Sequence, residues 1–477
     1  MLESDASCNG RFFSGVMTTG IYCLPSCKAR KPKPGNVRFF PTCEAARLAG
    51  LRACRKCHPD DFARGADPVL DDIEHLVAEI RDNPGAFPDV RAVVRRSGFG
   101  ATRLFELVRQ HFQSTPAEIL VRARIDLARR SLLENDAGLL TIAGAVGFES
   151  PSVFHEHFRR LNGLTPAAYR GLRSSHAFEI ALPVDYPLGH LRRALGRDRH
   201  SVTDRLEGDV HTSAVRLKGG VAVLTLKLGN NAVRAEFALV KGSHSPVPAG
   251  RTAAPAAEAH GIVAGLLGLD QDAAAFARHA RKLGLARLVA GRPGLRITQT
   301  PSIFDGVLWS IIGQQINFPF ACVLKRRLIE RTGEQLQPGL YAPPTPEAVA
   351  NLQPEDLLPL QFSRQKADYL VSTARLIVEG TLPIEGLRTM SATRAERTLL
   401  AVHGLGPWSV NYLMMRALGF PDCVPLGDTG VTSALQALLR LEERPDVPGT
   451  RRLMSIFSPF RSLATAHLWQ FQQPAPP

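Results

Sequence analysis

Two groups of residues in this chain have types and spacing suited to chemistry, and they lie towards opposite ends. The first is a run of thiols. Cys8, Cys23, Cys27, Cys43, Cys54 and Cys57 crowd the N-terminal region, and only Cys322 and Cys423 lie beyond it. Within the run, Cys23-x3-Cys27 and Cys54-x2-Cys57, with residues 28–53 between them, have the ligand spacing of a tetrahedral site for one zinc ion. A thiolate is both metal ligand and nucleophile, and zinc keeps it deprotonated at neutral pH. Cys8 and Cys43 lack a partner at ligand spacing and are expected as half-buried small hydrophobes. The basic run Lys28-Ala29-Arg30-Lys31-Pro32-Lys33 beside the first pair suits phosphate. The second group occupies residues 397–428, RTLLAVHGLGPWSVNYLMMRALGFPDCVPLGD. It reads as a helix, a tight turn His403-Gly404-Leu405-Gly406, a second helix, and then an acid, Asp428. Gly404 and Gly406 would let the backbone approach a phosphate, and amides at the start of the following helix can hold the anion.

The elements that must position these groups follow from length and periodicity. At about 100–200 residues per domain, 477 residues predict three or four domains. Lys and Arg total 58 against 44 Asp and Glu, a formal net charge of +14, which points to a polyanionic partner, most often nucleic acid. A hydrophobic content of 44% excludes a wholly disordered chain. No stretch approaches the roughly 18 consecutive apolar residues of a membrane span. The start, MLESDASCNG, lacks a basic region followed by an apolar one, so secretion is not expected, and a cytoplasmic protein with no membrane partner is.

The expected fold class is α+β multidomain. Residues 1–68 form a small cysteine module. Residues 69–173 carry apolar residues at three- and four-residue spacing and form an all-helical domain of two similar halves. In its second half a short helix (Thr141–Ala145) meets a Gly147 turn, and Ser150 caps a helix with Pro151 at its first position. That helix would expose Ser152, His155, Glu156 and Arg159 and bury Val153, Phe154 and Phe158, as in a helix-turn-helix. His155 and His157 are expected on the surface. From about Phe178 to Val240 the period is two, with turns at Gly219-Gly220 and Gly229-Asn230-Asn231, which reads as a β-meander within a mixed domain spanning 174–291. Residues 242–260 read as a linker. A helical domain fills 292–477, with its last six residues, QQPAPP, frayed.

Three stretches resemble known families. TTGIYCLPSC with AARLAGLRACRKCHPDD, over about residues 7–62, resembles the zinc domain of the Ada family. There the first cysteine of the first pair accepts a methyl group from a DNA methyl-phosphotriester, which would be Cys23. Methylating one thiolate removes a negative charge from the site and would tighten DNA binding. Leu24 and Met17 stand where that family often has basic residues. Residues 72–172, with DVRAVVRRSGFGATRLFELVRQHF and LLTIAGAVGFESPSVFHEHFRRLNGLTPAAYR, resemble the paired helix-turn-helices of the AraC family. That implies promoter DNA and RNA polymerase as partners; the chain is expected to be a monomer.

Residues 178–471 resemble the helix-hairpin-helix glycosylases of the AlkA type, strongly from 293 onward. The resemblance makes Asp428 the catalytic carboxylate and puts Trp408 and Trp469 at a base pocket. Gln314 and Gln315 fall where the family inserts a wedge into the gap left by a flipped base. Hairpin carbonyls around Leu400–Leu405 would hold a monovalent cation. Trp408 stands where lyase-competent relatives carry a lysine, so a monofunctional glycosylase that leaves an abasic site is implied. Phe460 replaces a tryptophan of the usual pattern. No PCHR string occurs, so repair of O6-methylguanine is not expected.

The whole reads as a 3-methyladenine-type base-excision glycosylase fused to a methylation-sensing transcriptional regulator. The alternative is a regulator whose glycosylase-like domain binds DNA without catalysis, and the intact Asp428 and hairpin discriminate against it. A third reading, an architectural DNA-binding protein, requires no chemistry at Cys23.

Overall fold

A computed structural model describes residues 8–27, 29–65, 67–240 and 254–471. Lys28, Ala66, residues 241–253 with most of the expected linker, and the QQPAPP tail lie outside the described residues. Contacts divide the chain into two compact units, Met1–Glu79 and Ile80–Pro477.

In the first unit, strands Phe13–Val16, Ile21–Cys23, Val37–Phe40 and Arg52–Ala53 form one small sheet, in which 13–16 lies between 37–40 and 21–23. Its apolar interior is small: Phe13, Tyr22, Leu24, Cys43, Ala46 and Leu51. At ~1.5–3 kcal/mol for each large buried side chain, such a core offsets little of the ordering cost of some sixty residues. The fold therefore needs a cross-link, and the thiols are placed to supply one.

The second unit begins with the paired helix-turn-helices. Helices Val90–Ser97 and Ala101–Phe112 make the first, and Leu139–Ala145 and Pro151–Asn162 the second. The long helix Pro116–Glu134 joins them. Local caps fix the boundaries: the side chains of Asp89, Thr115, Ser150 and Thr165 each accept an amide of the first turn that follows. Phe154 and Phe158 are buried as expected, but Val153 is 43% exposed. It sits one position, about 100° of helix, off the Phe154/Phe158 stripe and joins the outward face.

A five-stranded antiparallel sheet follows. Strands 204–207, 210–217, 220–228 and 232–239 form the meander, and Ala177–Ala181 adds to its far edge by pairing with the last strand. Between the first and second strands in sequence lies a helix, Leu188–Leu195, which the period-two reading of this stretch did not include. Leu188, Leu191 and Leu195, spaced by three and four, are its buried face. The end of the expected linker is also helical. Pro255–Leu267 starts with proline at its first position and packs Ala256, Ala259 and Val263 into the interior. Alanine is the best helix former, so an Ala-rich stretch is as much helix as linker.

The sheet and the second helix-turn-helix share one apolar core. Phe154, Phe158 and Tyr169 pack in the same cluster as Ile180, Leu224 and Val263. His260 bridges the two: its Nε2 lies 2.7 Å from the carbonyl oxygen of Asn162, and its ring meets Tyr169 and Phe178 edge-on. A second core gathers the C-terminal helices, from Phe276 to Leu468. Phe460 packs there against Phe276.

Candidate functional site

The thiol centre is built by strand pairing. Strand Ile21–Cys23 runs parallel to Arg52–Ala53, with Ile21 opposite Arg52 and Tyr22 opposite Ala53. The next residue on each strand is a cysteine, so register alone brings Cys23 and Cys54 together. Cys27 and Cys57 follow on the turns, and the four sulfurs lie within 4.8 Å of one another. Amides point at them: Leu24 N donates to Cys57 Sγ at 3.3 Å and Lys56 N to Cys54 Sγ at 3.4 Å. Without a cation this cluster cannot hold four negative charges. A hydrogen bond between Cys23 and Cys27 drives Cys27 far down and Cys23 far up. Four converging sulfurs with amide donors behind them fit a tetrahedral zinc ion. Cys43 is separate and buried, donating to Pro59 O, and Cys8 stands outside the cluster. Leu24 is buried rather than offered to a partner.

The second site lines a cleft of about 1750 Å³. Asp428 caps helix Thr429–Leu439, its Oδ1 accepting from Val431 N at 2.9 Å. The same oxygen accepts from Trp469 Nε1 at 3.0 Å, and Oδ2 accepts from Trp408 Nε1 at 3.1 Å. Cap and chemistry are thus compatible. Three charge-assisted donors fix the carboxylate at the cleft wall; Oδ1 is fully used by two of them, while Oδ2 keeps a lone pair for a further partner. Trp408 belongs to helix Pro407–Arg416 and Trp469 to Arg461–Phe471, so three helices converge on one acid. Sequence reasoning missed Tyr412. It stacks on Trp408 at 5.3 Å and lies 6.2 Å from Trp469, completing an aromatic wall. Its position four residues after Trp408 on one helix was the available signal.

The hairpin closes between helices Ala392–Leu400 and Pro407–Arg416, with Leu405 N donating to Val402 O at 3.1 Å. Gly404 has φ +93° and lies against the Tyr369 ring, where a Cβ would come within 2.3 Å of the ring carbons. Gly406 is open, with nothing near the place of a Cβ. The two glutamines differ. Gln314 is spent internally, its amide donating to Gly404 O at 2.8 Å and to Ser409 Oγ at 3.0 Å. Gln315 is exposed on a left-handed backbone, φ +55°. Beneath them Lys366 Nζ donates to the carbonyls of Ile312 and Gln314, and burial lowers its pKa to about 8.

On the second helix-turn-helix, Ser152, His155, Glu156 and Arg159 are all exposed on one helix, with Val153 beside them. Its partner in the first, Ala101–Phe112, exposes Ala101, Thr102, Phe105 and Glu106 near its start and buries His111 and Phe112 at its end.

Comparison with known proteins matches each region. Residues 1–60 fit the family model for the metal-binding domain of Ada, 93–171 a helix-turn-helix domain, and 308–459 the HhH-GPD superfamily of base-excision DNA repair proteins. Over 98% of its length the chain is 28% identical to a probable bifunctional transcriptional activator/DNA repair enzyme AlkA of Mycobacterium tuberculosis, covering 94% of that protein. It is 32% identical to the DNA-3-methyladenine glycosylase of Bacillus subtilis over 42% of this chain and 68% of that one. The solved structure of the 3-methyladenine DNA-glycosylase from Archaeoglobus fulgidus superposes on 62% of this chain and 98% of its own, with TM-score 0.52 and 22% identity, a likeness of fold.

Proposed function

The chain belongs to the DNA-3-methyladenine glycosylase family, here joined to an Ada-type zinc module and an AraC-type helix-turn-helix region, and from that premise we propose how it acts on alkylated DNA. Its substrate is a purine alkylated at N3 or N7 in duplex DNA. Such a base is cationic and already a good leaving group. The target nucleotide leaves the stack, at a cost of a few kcal/mol, and enters the cleft. The face of Trp408, Tyr412 or Trp469 attracts the cationic base by roughly 0.5–2 kcal/mol for each ring it meets. As the bond between C1′ and the base nitrogen breaks, its electron pair stays on the base, which departs neutral. Positive charge grows on the sugar, and Asp428 stabilises it. Water adds to C1′ and loses a proton, leaving an abasic site. Gln315, exposed on its turn, fills the vacated position in the duplex.

In the zinc module, Cys23 accepts a methyl group from a methyl-phosphotriester. A bond forms between Cys23 Sγ and the methyl carbon as the carbon–oxygen bond breaks, and the electron pair remains on the phosphodiester oxygen. Zinc, when bound, supplies the deprotonated thiolate at neutral pH. The loss of one negative charge lets the module sit more closely on DNA, and the exposed helix of residues 151–162 carries that signal to promoter DNA, with RNA polymerase as the recipient. The chain works as a monomer in the cytoplasm. Hairpin carbonyls between Leu400 and Leu405 would hold a monovalent cation, Val402 O being already engaged by Leu405 N.

The observation that carries this reading is the Asp428 carboxylate held at the cleft wall by two tryptophan N–H groups. The test is base release and S-methylcysteine formation from one sample of methylated duplex DNA. Asp428→Asn should slow release at least ~100-fold, roughly 3 kcal/mol, and leave methyl transfer intact. Cys23→Ser should do the reverse. Equal release by wild type and Asp428→Asn would return the C-terminal half to a non-catalytic role.

A further inference from the structure

We propose that Gln113, at the end of the first helix-turn-helix, is a positioning residue for base excision, because it holds the segment that delivers Asp428. The proposal rests on the glycosylase reading above and adds to it a residue from the regulator region.

Gln113 ends helix Ala101–Phe112 in the left-handed region, φ +54°, with its own N–H bonded to Arg109 O at 3.1 Å. Its side chain reaches out of the helix-turn-helix into the C-terminal domain. Oε1 accepts from Asp422 N at 2.8 Å, and both polar ends of the amide lie 3.8 Å from Cys423 Sγ. Asp422 and Cys423 are buried, so without Gln113 the Asp422 amide would lose its partner in a place water does not readily reach.

The neighbours of that bond give it meaning. Three successive amides are held by side chains: Asp422 N by Gln113, Cys423 N by Ser462 Oγ at 2.9 Å, and Val424 N by Asn411 Oδ1 at 3.2 Å. Ser462 lies on the helix that carries Trp469, and Asn411 on the helix that carries Trp408. These are the two tryptophans that donate to Asp428. The third anchor comes from the regulator. From there the chain runs through Pro425, Leu426 and Gly427 to Asp428, whose N–H bonds to Pro425 O at 3.1 Å. The docking is not a single contact. His111 Nδ1 lies 3.0 Å from Thr393 Oγ1, and an Arg81 guanidinium N–H donates to Thr389 O. The helix whose first turn is offered to promoter DNA thus ends on the backbone that sets the catalytic acid, and a displacement of about 1 Å there is enough to cost a large factor in rate.

The test uses the full chain. Glycine fits the left-handed backbone, so Gln113→Gly keeps the helix end and removes only the reach; Gln113→Glu keeps an acceptor. Single-turnover base release from methylated duplex DNA by Gln113→Gly should fall about tenfold, with affinity for abasic-site duplex within about twofold of wild type and a melting temperature lower by only a few degrees, the cost of the unpaired Asp422 amide, so that the variant is fully folded at the assay temperature. Gln113→Glu should recover most of the rate. Release by Gln113→Gly at the wild-type rate would overturn the proposal while leaving the glycosylase reading intact. So would a fall in rate that merely tracks falls in melting temperature and DNA affinity. A wild-type protein that releases no base overturns both.

Discussion

At the scale of single residues, the chemistry depends on what surrounds one carboxylate. Asp428 is a helix cap and a candidate catalytic group at once, because the cap uses one lone pair and the tryptophans two more. The same geometry explains why Trp408 cannot be read as a mere filler at the site of a lyase lysine. Its indole N–H is committed to the acid, and no amine is present there to attack the sugar. Treatment of enzyme and methylated DNA with borohydride should therefore trap no covalent complex, and the product strand should remain intact until alkali is added; a trapped adduct would contradict the proposal that the reaction stops at an abasic site. Asp428 and both tryptophans were legible from sequence through resemblance. Tyr412 was not, because an aromatic among MMR and NYL reads as core until the facing helix is known. Gln314 was legible as a position but not as a role: its amide bonds the hairpin, and the exposed neighbour, Gln315, is the one free to reach a duplex.

At the scale of elements, the decisive devices are pairings across long sequence gaps. Cysteine spacing announced four ligands, yet what assembles them is a two-residue parallel pairing, Ile21 with Arg52 and Tyr22 with Ala53, too short to leave a periodicity signal. The turn carrying Gln315 is tied to the hairpin in the same way. Lys366, on helix Arg364–Val378, holds the carbonyls of Ile312 and Gln314, at and just past the end of helix Ile303–Ile312, and nothing in a surface-like SRQKADYL string marks a lysine for that task. Lys366→Met leaves two partly buried carbonyls without their donor. It should weaken binding to abasic-site duplex about fivefold, roughly 1 kcal/mol, with a smaller effect on the single-turnover rate once DNA is saturating. Titrating the variant by fluorescence anisotropy checks this, and an unchanged affinity would show that Gln315 is positioned without it.

At the scale of the whole molecule, sequence periodicity recovered the order of the regions but not how they join. The sequence reads the stretch after Arg173 as a further domain, and its strand Ala177–Ala181 lies on the core that Phe158 and Tyr169 began. The reason is physical: apolar spacing tells which face of an element is buried, not against what. His260 makes this junction sensitive to acid. Burial lowers its pKa to about 4, and its Nε2 faces the Asn162 carbonyl. Between pH 6.5 and 4 the unfolded chain binds a proton there that the folded chain refuses, so the stabilisation present at neutral pH is lost as pH falls through this window. The full effect is roughly 3 kcal/mol. His260→Gln, which can still donate to Asn162, should flatten the pH dependence of the melting temperature over that range by the corresponding amount; His467, lowered to about 3 by burial, would supply a remaining slope.

The same junction limits how this polypeptide can be cut. A fragment ending at Arg173 would strip the sheet from Phe158, Tyr169 and Leu172, all fully shielded in the intact chain. Its newly wetted face would drive self-association or proteolysis. A soluble, free-standing promoter reader made from this polypeptide would have to carry at least the sheet and the helix that contains His260.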